Sequence, residues 1–266
     1  MDLEHAYETV NLYRRGAELR IELNRPDAMN AWDTQFGEDL RAAVERAAEP
    51  EVRAVVVTGA GRAFSSGADL KAGFDPTPDG HPDLLTPLRE RYHPIILGLR
   101  RLEKPVVAAV NGPAVGIGCS LALACDLIVM SERAYFLLAF VNIGLVPDGG
   151  SSFLVPERIG LARATEMAML GERIPAAQAV EWGLANRVVA DADFGAEVDA
   201  LAARLAAGPT GAYAGIKREL NGWLFTRMED QLELEAAIQQ QSAATADLRE
   251  GVLAFIEKRS PRFSGH

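Results

Sequence analysis

The 266-residue sequence has few of the residues that bind metals or form disulfides, with only two cysteines and four histidines. Cys119 and Cys125 lie six positions apart in an apolar run, a spacing typical of neither a zinc site nor a redox motif. The histidines are scattered, and none form the H-x-x-x-H pair of a helical metal site. We therefore predict two buried cysteines, no metal site and no need for an oxidising compartment.

The sequence also lacks an excess of positive charge. Its formal net charge is −10, whereas nucleic-acid binding depends on Lys and Arg side chains that neutralise phosphates. The apolar stretch 106–125 is interrupted by Asn111-Gly112-Pro113, so it is typical of a buried strand, a turn and a buried helix rather than a membrane span. The acidic N-terminus does not have the layout of a secretory signal. These features predict a cytoplasmic protein that binds neither nucleic acid nor membrane.

Several common catalytic and nucleotide-binding motifs are absent. There is no G-x-x-x-x-G-K-[ST] phosphate loop and no G-x-S-x-G nucleophile elbow. The segment 116–121 begins like a dinucleotide-binding fingerprint but has Leu121 where the third glycine belongs. No histidine follows a predicted core strand, as a Ser-His-Asp mechanism would require. We expect no cofactor beyond what a substrate itself carries.

Strands and helices alternate in the first part of the chain and helices dominate the rest. Hydrophobic periodicity predicts a hairpin at 10–24, a helix at 34–48 that begins near Asp33 or Thr34, and buried strands at 54–58, 106–110 and 127–130. It also predicts a proline-rich loop at 75–87 and a further helix at 88–102. Beyond residue 149 it predicts one strand at 187–189 and helices at 162–170, 176–182, 193–207, 210–220 and 228–255. This order is typical of an α/β core followed by an α-helical region.

Three junctions of small residues follow predicted strands or open predicted helices. They occupy 62–71, 111–119 and 142–150, and the third contains one carboxylate, that of Asp148. Small residues let the main chain approach a ligand, and free N–H groups at a helix start attract negative charge. Such turns also serve purely structural roles in α/β proteins, and Pro147-Asp148-Gly149 is ordinary turn chemistry.

Four motifs in order resemble the crotonase (enoyl-CoA hydratase/isomerase) superfamily over residues 8–262. They are Leu23-Asn24-Arg25-Pro26 with Ala28-Met29-Asn30-Ala31, Ala63 to Leu70, Ala109 to Gly118, and Phe255-Ile256-Glu257-Lys258-Arg259. The resemblance implies a crotonase-like spiral of ββα units in residues 1–200. It also implies an α-helical trimerisation region in residues 201–266, an acyl-CoA thioester substrate, and a homotrimer or a dimer of trimers.

The resemblance also assigns site residues. The family's oxyanion hole falls on the main-chain N–H groups of Ala68 and Ile117. The expected substrate contacts are Arg25, Ala28, Ser66, Asp69, Leu70, Lys71, Gly116, Phe140 and Lys258, with Arg25 and Lys258 near the CoA phosphates.

The two glutamates of the family's hydratases fall on Ser120 and Phe140, neither of which exchanges a proton near neutral pH. Asp148 matches the acid/base carboxylate of several enoyl-CoA isomerases, including the phenylacetate-pathway epoxyphenylacetyl-CoA isomerase. The resemblance therefore favours an isomerase that converts 3-enoyl-CoA to 2-enoyl-CoA. A ring-epoxide (oxepin-CoA-forming) isomerase, a hydratase, a hydrolase and a non-enzymatic acyl-CoA binder are the alternatives.

Overall fold

The computed structural model of the protein describes residues 1–266 and contains two β-sheets. The strands are β1 (Asp2–Ala6), β2 (Val10–Arg15), β3 (Glu18–Leu23), β4 (Ala54–Gly59), β5 (Val106–Val110), β6 (Ala114–Val115), β7 (Leu127–Ser131), β8 (Tyr135–Leu137), β9 (Ile174–Pro175) and β10 (Arg187–Val189). The larger sheet has the order β1-β2-β3-β4-β5-β7-β10, and the smaller has β6-β8-β9. The first three strands are antiparallel, and β3 to β10 of the larger sheet are parallel.

Ten α-helices surround these sheets. They are α1 (Thr34–Arg46), α2 (Leu85–Pro87), α3 (His93–Arg101), α4 (Ile117–Ala124), α5 (Ser151–Leu170), α6 (Ala176–Trp182), α7 (Phe194–Ala207), α8 (Thr210–Leu224), α9 (Met228–Ala243) and α10 (Ala246–Glu257). A π-helical turn, Leu88–Tyr92, joins α2 to α3, and a 3₁₀ turn, Ala139–Ile143, precedes α5. None of these helices is both long enough and apolar enough to cross a lipid bilayer.

The parallel strands are buried on both faces of the larger sheet, which explains their unbroken apolar sequences. Every residue of β5 is buried, and Val55 and Val57 of β4 belong to the main core of 47 residues. Val56, on the opposite face, packs in a second cluster with apolar residues of α7. The fold is therefore a mixed α/β core with a helical C-terminal region, as predicted.

Most predicted elements are confirmed near their expected limits. The hairpin forms from β2 and β3, and Asp33 caps α1 by accepting a 2.8 Å hydrogen bond from the Phe36 N–H. Both cysteines are free and buried. The boundary proposed after residue 200 lies inside α7 and stays a prediction.

Other predictions of secondary structure were wrong. The single helix expected over 228–255 is two helices, because the Thr245 hydroxyl accepts a hydrogen bond from the Leu248 N–H and starts α10 as a new helix. Helix α5 begins at Ser151 rather than at residue 162, and it is interrupted at Gly160, which has a non-helical backbone. The sequence pattern also missed β1, whose residues are all exposed, and the short strands of the smaller sheet.

Candidate active site

A cavity of about 1300 Å³ opens at the carboxyl ends of β4 and β5. In open α/β sheets, ligands bind where loops leave the carboxyl ends of neighbouring parallel strands. Two hydrogen bonds join the loops that follow these strands: the Ser65 N–H donates to the Pro113 carbonyl at 3.0 Å, and the Val115 N–H donates to the Ser65 carbonyl at 2.9 Å. The first two small-residue junctions thus form adjacent parts of one cavity wall.

The main-chain N–H groups of Ala68 and Ile117 donate no hydrogen bond within the chain, and both residues line the cavity. Their neighbours are engaged: the Asp69 N–H donates to the Trp32 carbonyl at 2.9 Å, and the Gly116 N–H donates to the Leu137 carbonyl at 2.9 Å. Ile117 is the first residue of α4, where N–H groups have no acceptor within the helix. Two free donors therefore lie on one wall, a suitable arrangement for an oxygen that gains negative charge.

Glycines make this wall possible. Gly67 has φ +89°, and a Cβ atom there would lie 2.9 Å from the Val115 carbonyl oxygen. Gly116 has φ +55° and ψ −126° directly before α4. A larger residue at either position would strain the main chain that presents the two donors.

Asp148 lies between the 3₁₀ turn and α5, and its side chain borders the same cavity while being only 7% exposed. Its Oδ2 accepts a 2.9 Å hydrogen bond from Gln239 Nε2, whereas its buried Oδ1 has no partner. Burial raises the pKa of Asp148 to about 8, the nearby Glu235 carboxylate adds to the rise, and the Gln239 hydrogen bond opposes it. A carboxyl group with this pKa can both take and return a proton near neutral pH.

The main chain at Asp148 is fixed by two hydroxyl groups. The Ser120 and Ser151 Oγ atoms each donate to the Asp148 carbonyl oxygen at 2.8 Å. Gly149 follows with φ +61°, and a Cβ atom there would lie 2.3 Å from Ile117 Cδ1. Ser120 thus supports the Asp148 loop from α4, at the position where hydratases of the family resembled have their first glutamate.

Seven of the nine predicted substrate-contacting residues line the cavity: Ala28, Ser66, Asp69, Leu70, Lys71, Gly116 and Phe140. Arg25 and Lys258 do not. The Arg25 guanidinium instead donates to the carboxylates of Asp33 and Asp69 at 2.9 and 3.1 Å, and Lys258 is an exposed residue that ends α10 in a left-handed conformation. The structure does not bring these two cations to the cavity wall because one is bound within the fold and the other points outward.

No group of three or more His, Cys, Asp or Glu side chains is placed to hold a metal ion.

Sequence reasoning missed three residues close to Asp148. Gln239 binds its carboxylate, Glu235 accepts hydrogen bonds from the Gly150 and Ser152 N–H groups at 2.7 and 2.9 Å, and Tyr92 borders the cavity with its pKa raised by burial and by the Asp148 charge. Gln239 and Glu235 are buried residues of α9 one turn apart. Their distance along the sequence from Asp148 left no local pattern by which to find them.

Comparison with known proteins agrees with the geometry. A family model described as enoyl-CoA hydratase/isomerase matches residues 15–266. A probable enoyl-CoA hydratase of Rhodobacter capsulatus is 44% identical over 92% of this chain and 93% of its own length. The 1,2-epoxyphenylacetyl-CoA isomerase of Escherichia coli is 38% identical over 93% of this chain and 95% of its own length.

A solved structure of an enoyl-CoA hydratase from Mycobacterium avium subsp. paratuberculosis superimposes with a TM-score of 0.89, at 38% identity, and covers 97% of this chain and all of that one. The chain belongs to the enoyl-CoA hydratase/isomerase, or crotonase, family and is an enzyme of that family.

Proposed function

We propose that the protein is an acyl-CoA isomerase that moves a double bond, converting 3-enoyl-CoA to 2-enoyl-CoA. The observation that carries this proposal is the unpartnered Oδ1 of Asp148, which belongs to the one buried carboxylate of the cavity lining. The other lining carboxylates are all at least partly exposed, at Asp27, Asp33, Asp69, Asp75 and Asp83. A double-bond shift needs only one such group, because the proton removed is also the proton returned.

In this mechanism the thioester oxygen accepts hydrogen bonds from the Ala68 and Ile117 N–H groups. Asp148 Oδ1 removes a proton from C2 of the 3-enoyl group, and the electron pair delocalises onto the thioester oxygen as a dienolate. The protonated Asp148 then delivers the proton to C4, which leaves the double bond between C2 and C3. Each donor stabilises the negative oxygen by about 3 kcal/mol, the magnitude found when one oxyanion-hole donor is removed.

The substrate's CoA portion is proposed to lie along Ala28 and the segment 66–71, which border the open part of the cavity. Cationic side chains on that lining, Arg62, Lys71 and Arg91, suit its phosphates. Arg25 and Lys258 remain in the proposal only as outer contacts, since neither borders the cavity. Coenzyme A enters as part of the substrate, and no separate cofactor is proposed.

A ring-epoxide isomerase that forms an oxepin-CoA is a second candidate. The cavity wall near Asp148 is aromatic, with Trp32 and Tyr92 in an edge-to-face pair whose centroids lie 5.0 Å apart, and Phe140 on the same lining. These rings suit a cyclic acyl group, and a relative described above is a 1,2-epoxyphenylacetyl-CoA isomerase. Hydration is less favoured because Phe140 and Ser120 supply no second acid/base.

The proposed assembly is a homotrimer or a dimer of trimers, in the cytoplasm. Exposed apolar side chains on helices α5 and α8 support assembly with a partner. Trp223 is 83% exposed, Leu161 78% and Met169 70%. Large apolar groups that lie in solvent are typical of surfaces that a partner covers. Light scattering coupled to size-exclusion chromatography measures the mass that tests this assembly.

Replacement of Asp148 by Asn tests the proposed function. We expect turnover of 3-hexenoyl-CoA to fall by roughly 10³-fold or more, since the proton shuttle is lost, while the dissociation constant for a CoA ester changes less than about threefold. Asp39→Asn is the matched control, because Asp39 is also buried but binds Thr9, and neither residue lines the cavity. Its turnover per folded molecule should stay within about twofold of the parent. Undiminished turnover in Asp148→Asn would reject the assignment.

Products distinguish the candidate reactions. Incubation with 3-hexenoyl-CoA should yield 2-hexenoyl-CoA, and incubation with crotonyl-CoA should yield little 3-hydroxy product. Rapid conversion of a ring-epoxide CoA ester, with slow turnover of 3-hexenoyl-CoA, would select the second candidate instead.

A further inference from the structure

Helix α9 presents three polar side chains to the loop that contains Asp148. Gln231, Glu235 and Gln239 are spaced four residues apart and so lie on one face of the helix. Gln231 Nε2 donates to Ser152 Oγ at 2.8 Å, Glu235 accepts from two N–H groups at the start of α5, and Gln239 reaches Asp148. Only the last of these three contacts involves the candidate acid/base itself.

The orientation of the Gln239 amide is determined by its second hydrogen bond. Its Oε1 accepts from the Val146 N–H at 3.0 Å, and an N–H can bond only to the oxygen end of the amide. The Nε2 end must therefore face Asp148, where it donates to Oδ2 at 2.9 Å. Only 2% of Gln239 is exposed, so these two contacts are largely shielded from solvent.

This arrangement makes the two carboxyl oxygens of Asp148 unequal. The Gln239 N–H occupies one of the two lone pairs of Oδ2, and a protonated oxygen is a poorer acceptor than a carbonyl oxygen, so this hydrogen bond disfavours a proton on Oδ2. A proton on Oδ1 meets no such conflict, because that oxygen has no partner in the chain and the side chain borders the cavity. The mobile proton is thereby favoured on the oxygen that is free to meet substrate.

We propose that Gln239 is a positioning residue that holds Asp148 by Oδ2 and reserves Oδ1 for proton transfer. This inference rests on the proposed function of Asp148 and adds a residue that the family resemblance did not point to. Gln239 also borders the cavity, but both of its amide groups are engaged, one with the Asp148 carboxylate and the other with the Val146 N–H. We therefore expect its effect to be exerted through Asp148.

Gln239 and Glu235 should act on Asp148 with opposite signs. The hydrogen bond from Gln239 favours the ionised carboxylate and lowers the pKa of Asp148, whereas the buried Glu235 charge raises it. Burial raises the pKa of Glu235 to about 7, and its main-chain donors at the start of α5 oppose that rise. At the higher pH where Asp148 titrates, Glu235 therefore carries most of its negative charge. The other titratable group beside Asp148 is the Tyr92 phenol, from the π-helical turn, whose pKa is raised further above its ordinary value.

The test is the pH profile of kcat/KM for 3-hexenoyl-CoA. Because only the ionised form of Asp148 can act as the base, kcat/KM should rise with pH, and the midpoint of the rise reports the pKa of Asp148. Gln239→Leu removes the donor, so the midpoint of this rise should move up by about one pH unit, with kcat lowered about tenfold and KM within about twofold. Gln239→Glu keeps an acceptor for the Val146 N–H but places a carboxylate against Oδ2, and its midpoint should move up at least as far. Glu235→Gln removes the repelling charge, and its midpoint should move down.

Gln231→Leu is the matched control, because it removes a glutamine hydrogen bond from the same helix to Ser152, at the start of α5, without touching Asp148. Its midpoint should equal that of the parent. Thermal unfolding of each variant shows which are folded, and the two Gln239 variants decide the question even if Glu235→Gln does not fold.

Unmoved midpoints in both Gln239 variants, or a shift as large in Gln231→Leu, would overturn the role given to Gln239. That outcome is separate from failure of the proposed function, which would appear as full turnover in Asp148→Asn. A loss of kcat without any shift of the midpoint would show that Gln239 only stabilises the fold.

Discussion

The two sides of the cavity are built by different means. On the oxyanion side, the donors of Ala68 and Ile117 are main-chain groups, and main-chain hydrogen bonds between the loops after β4 and β5 hold them in place. On the carboxylate side, Asp148 is held by the side chains of Ser120, Ser151 and Gln239. The first side depends on the path of the backbone, and the second depends on the identity of particular side chains.

This difference determines which substitutions each side tolerates. A main-chain donor is unaffected by the side chain of its own residue, so position 117 can be isoleucine provided that the backbone keeps its course. The oxyanion side should therefore be sensitive to glycine replacements that move the backbone. The carboxylate side should be sensitive to loss of single polar groups, and its defects should depend on pH.

On the oxyanion side, the largest effect is expected from Gly67→Ala. The new Cβ would lie 2.9 Å from the Val115 carbonyl oxygen at a φ of +89°, so the loop must move the Ala68 N–H. We expect kcat to fall roughly 10²-fold, the magnitude of losing one oxyanion-hole donor, in steady-state assays with 3-hexenoyl-CoA. The pH midpoint should stay at its parent value because Asp148 is untouched.

Gly16→Ala provides the control for backbone strain alone. Gly16 also has a positive φ, of +58°, but lies in the β2–β3 turn with no atom within 4 Å of an added Cβ. It should lose about 1 kcal/mol of stability and keep its turnover. If Gly67→Ala were as active as Gly16→Ala, the backbone of the first junction would not present a catalytic donor.

The same contrast explains how much could be predicted from the sequence. The β-branched run at 54–58 and the small residues after it are adjacent in the chain, so local patterns were sufficient to predict a buried strand followed by a ligand-facing turn. The structure brings both predicted donor residues and Asp148 to one cavity.

The surroundings of Asp148 could not be predicted in this way. Gln239 lies 91 positions beyond Asp148, Glu235 lies 85 positions beyond its partner Gly150, and a polar residue on a predicted helix is usually solvent-exposed. Arg25 shows the converse, since the family resemblance implied a phosphate contact but its partners, Asp33 and Asp69, are set by tertiary packing. Long-range side-chain pairs leave no periodic signal in one sequence.

A second prediction concerns the cost of burying Asp148. Its pKa is about 8 in the folded chain and near 3.8 when unfolded, so the folded state binds a proton that the unfolded state lacks between these values. Stability is therefore lost as the pH rises from about 4 to about 8. The difference between these two pKa values, about 4, corresponds to about 6 kcal/mol at about 1.4 kcal/mol per pKa unit. Asp148→Asn removes most of this cost and should be more stable than the parent by several kcal/mol at pH 8.

Urea unfolding at pH 5 and pH 8 measures this difference. The advantage of Asp148→Asn should shrink at pH 5, where the parent is mostly protonated, whereas the deficit of Gly67→Ala should be similar at both values. An advantage that did not change with pH would mean that Asp148 is not buried as a perturbed acid.

The smallest effect is expected from Ser120→Ala, which tests whether the carboxylate side acts through Asp148 alone. The Ser120 hydroxyl donates to the Asp148 carbonyl oxygen, but Ser151 donates to the same oxygen through both its Oγ and its N–H. Loss of one of these three donors should lower stability by about 1 kcal/mol and isomerase kcat less than about fivefold. Ser131→Ala is the control, because Ser131 is as deeply buried and donates to Asp191 away from the cavity. A hundredfold loss of turnover in Ser120→Ala, with Ser131→Ala unaffected, would show that Ser120 takes part in the reaction and that the site has a second acid/base or water-orienting group.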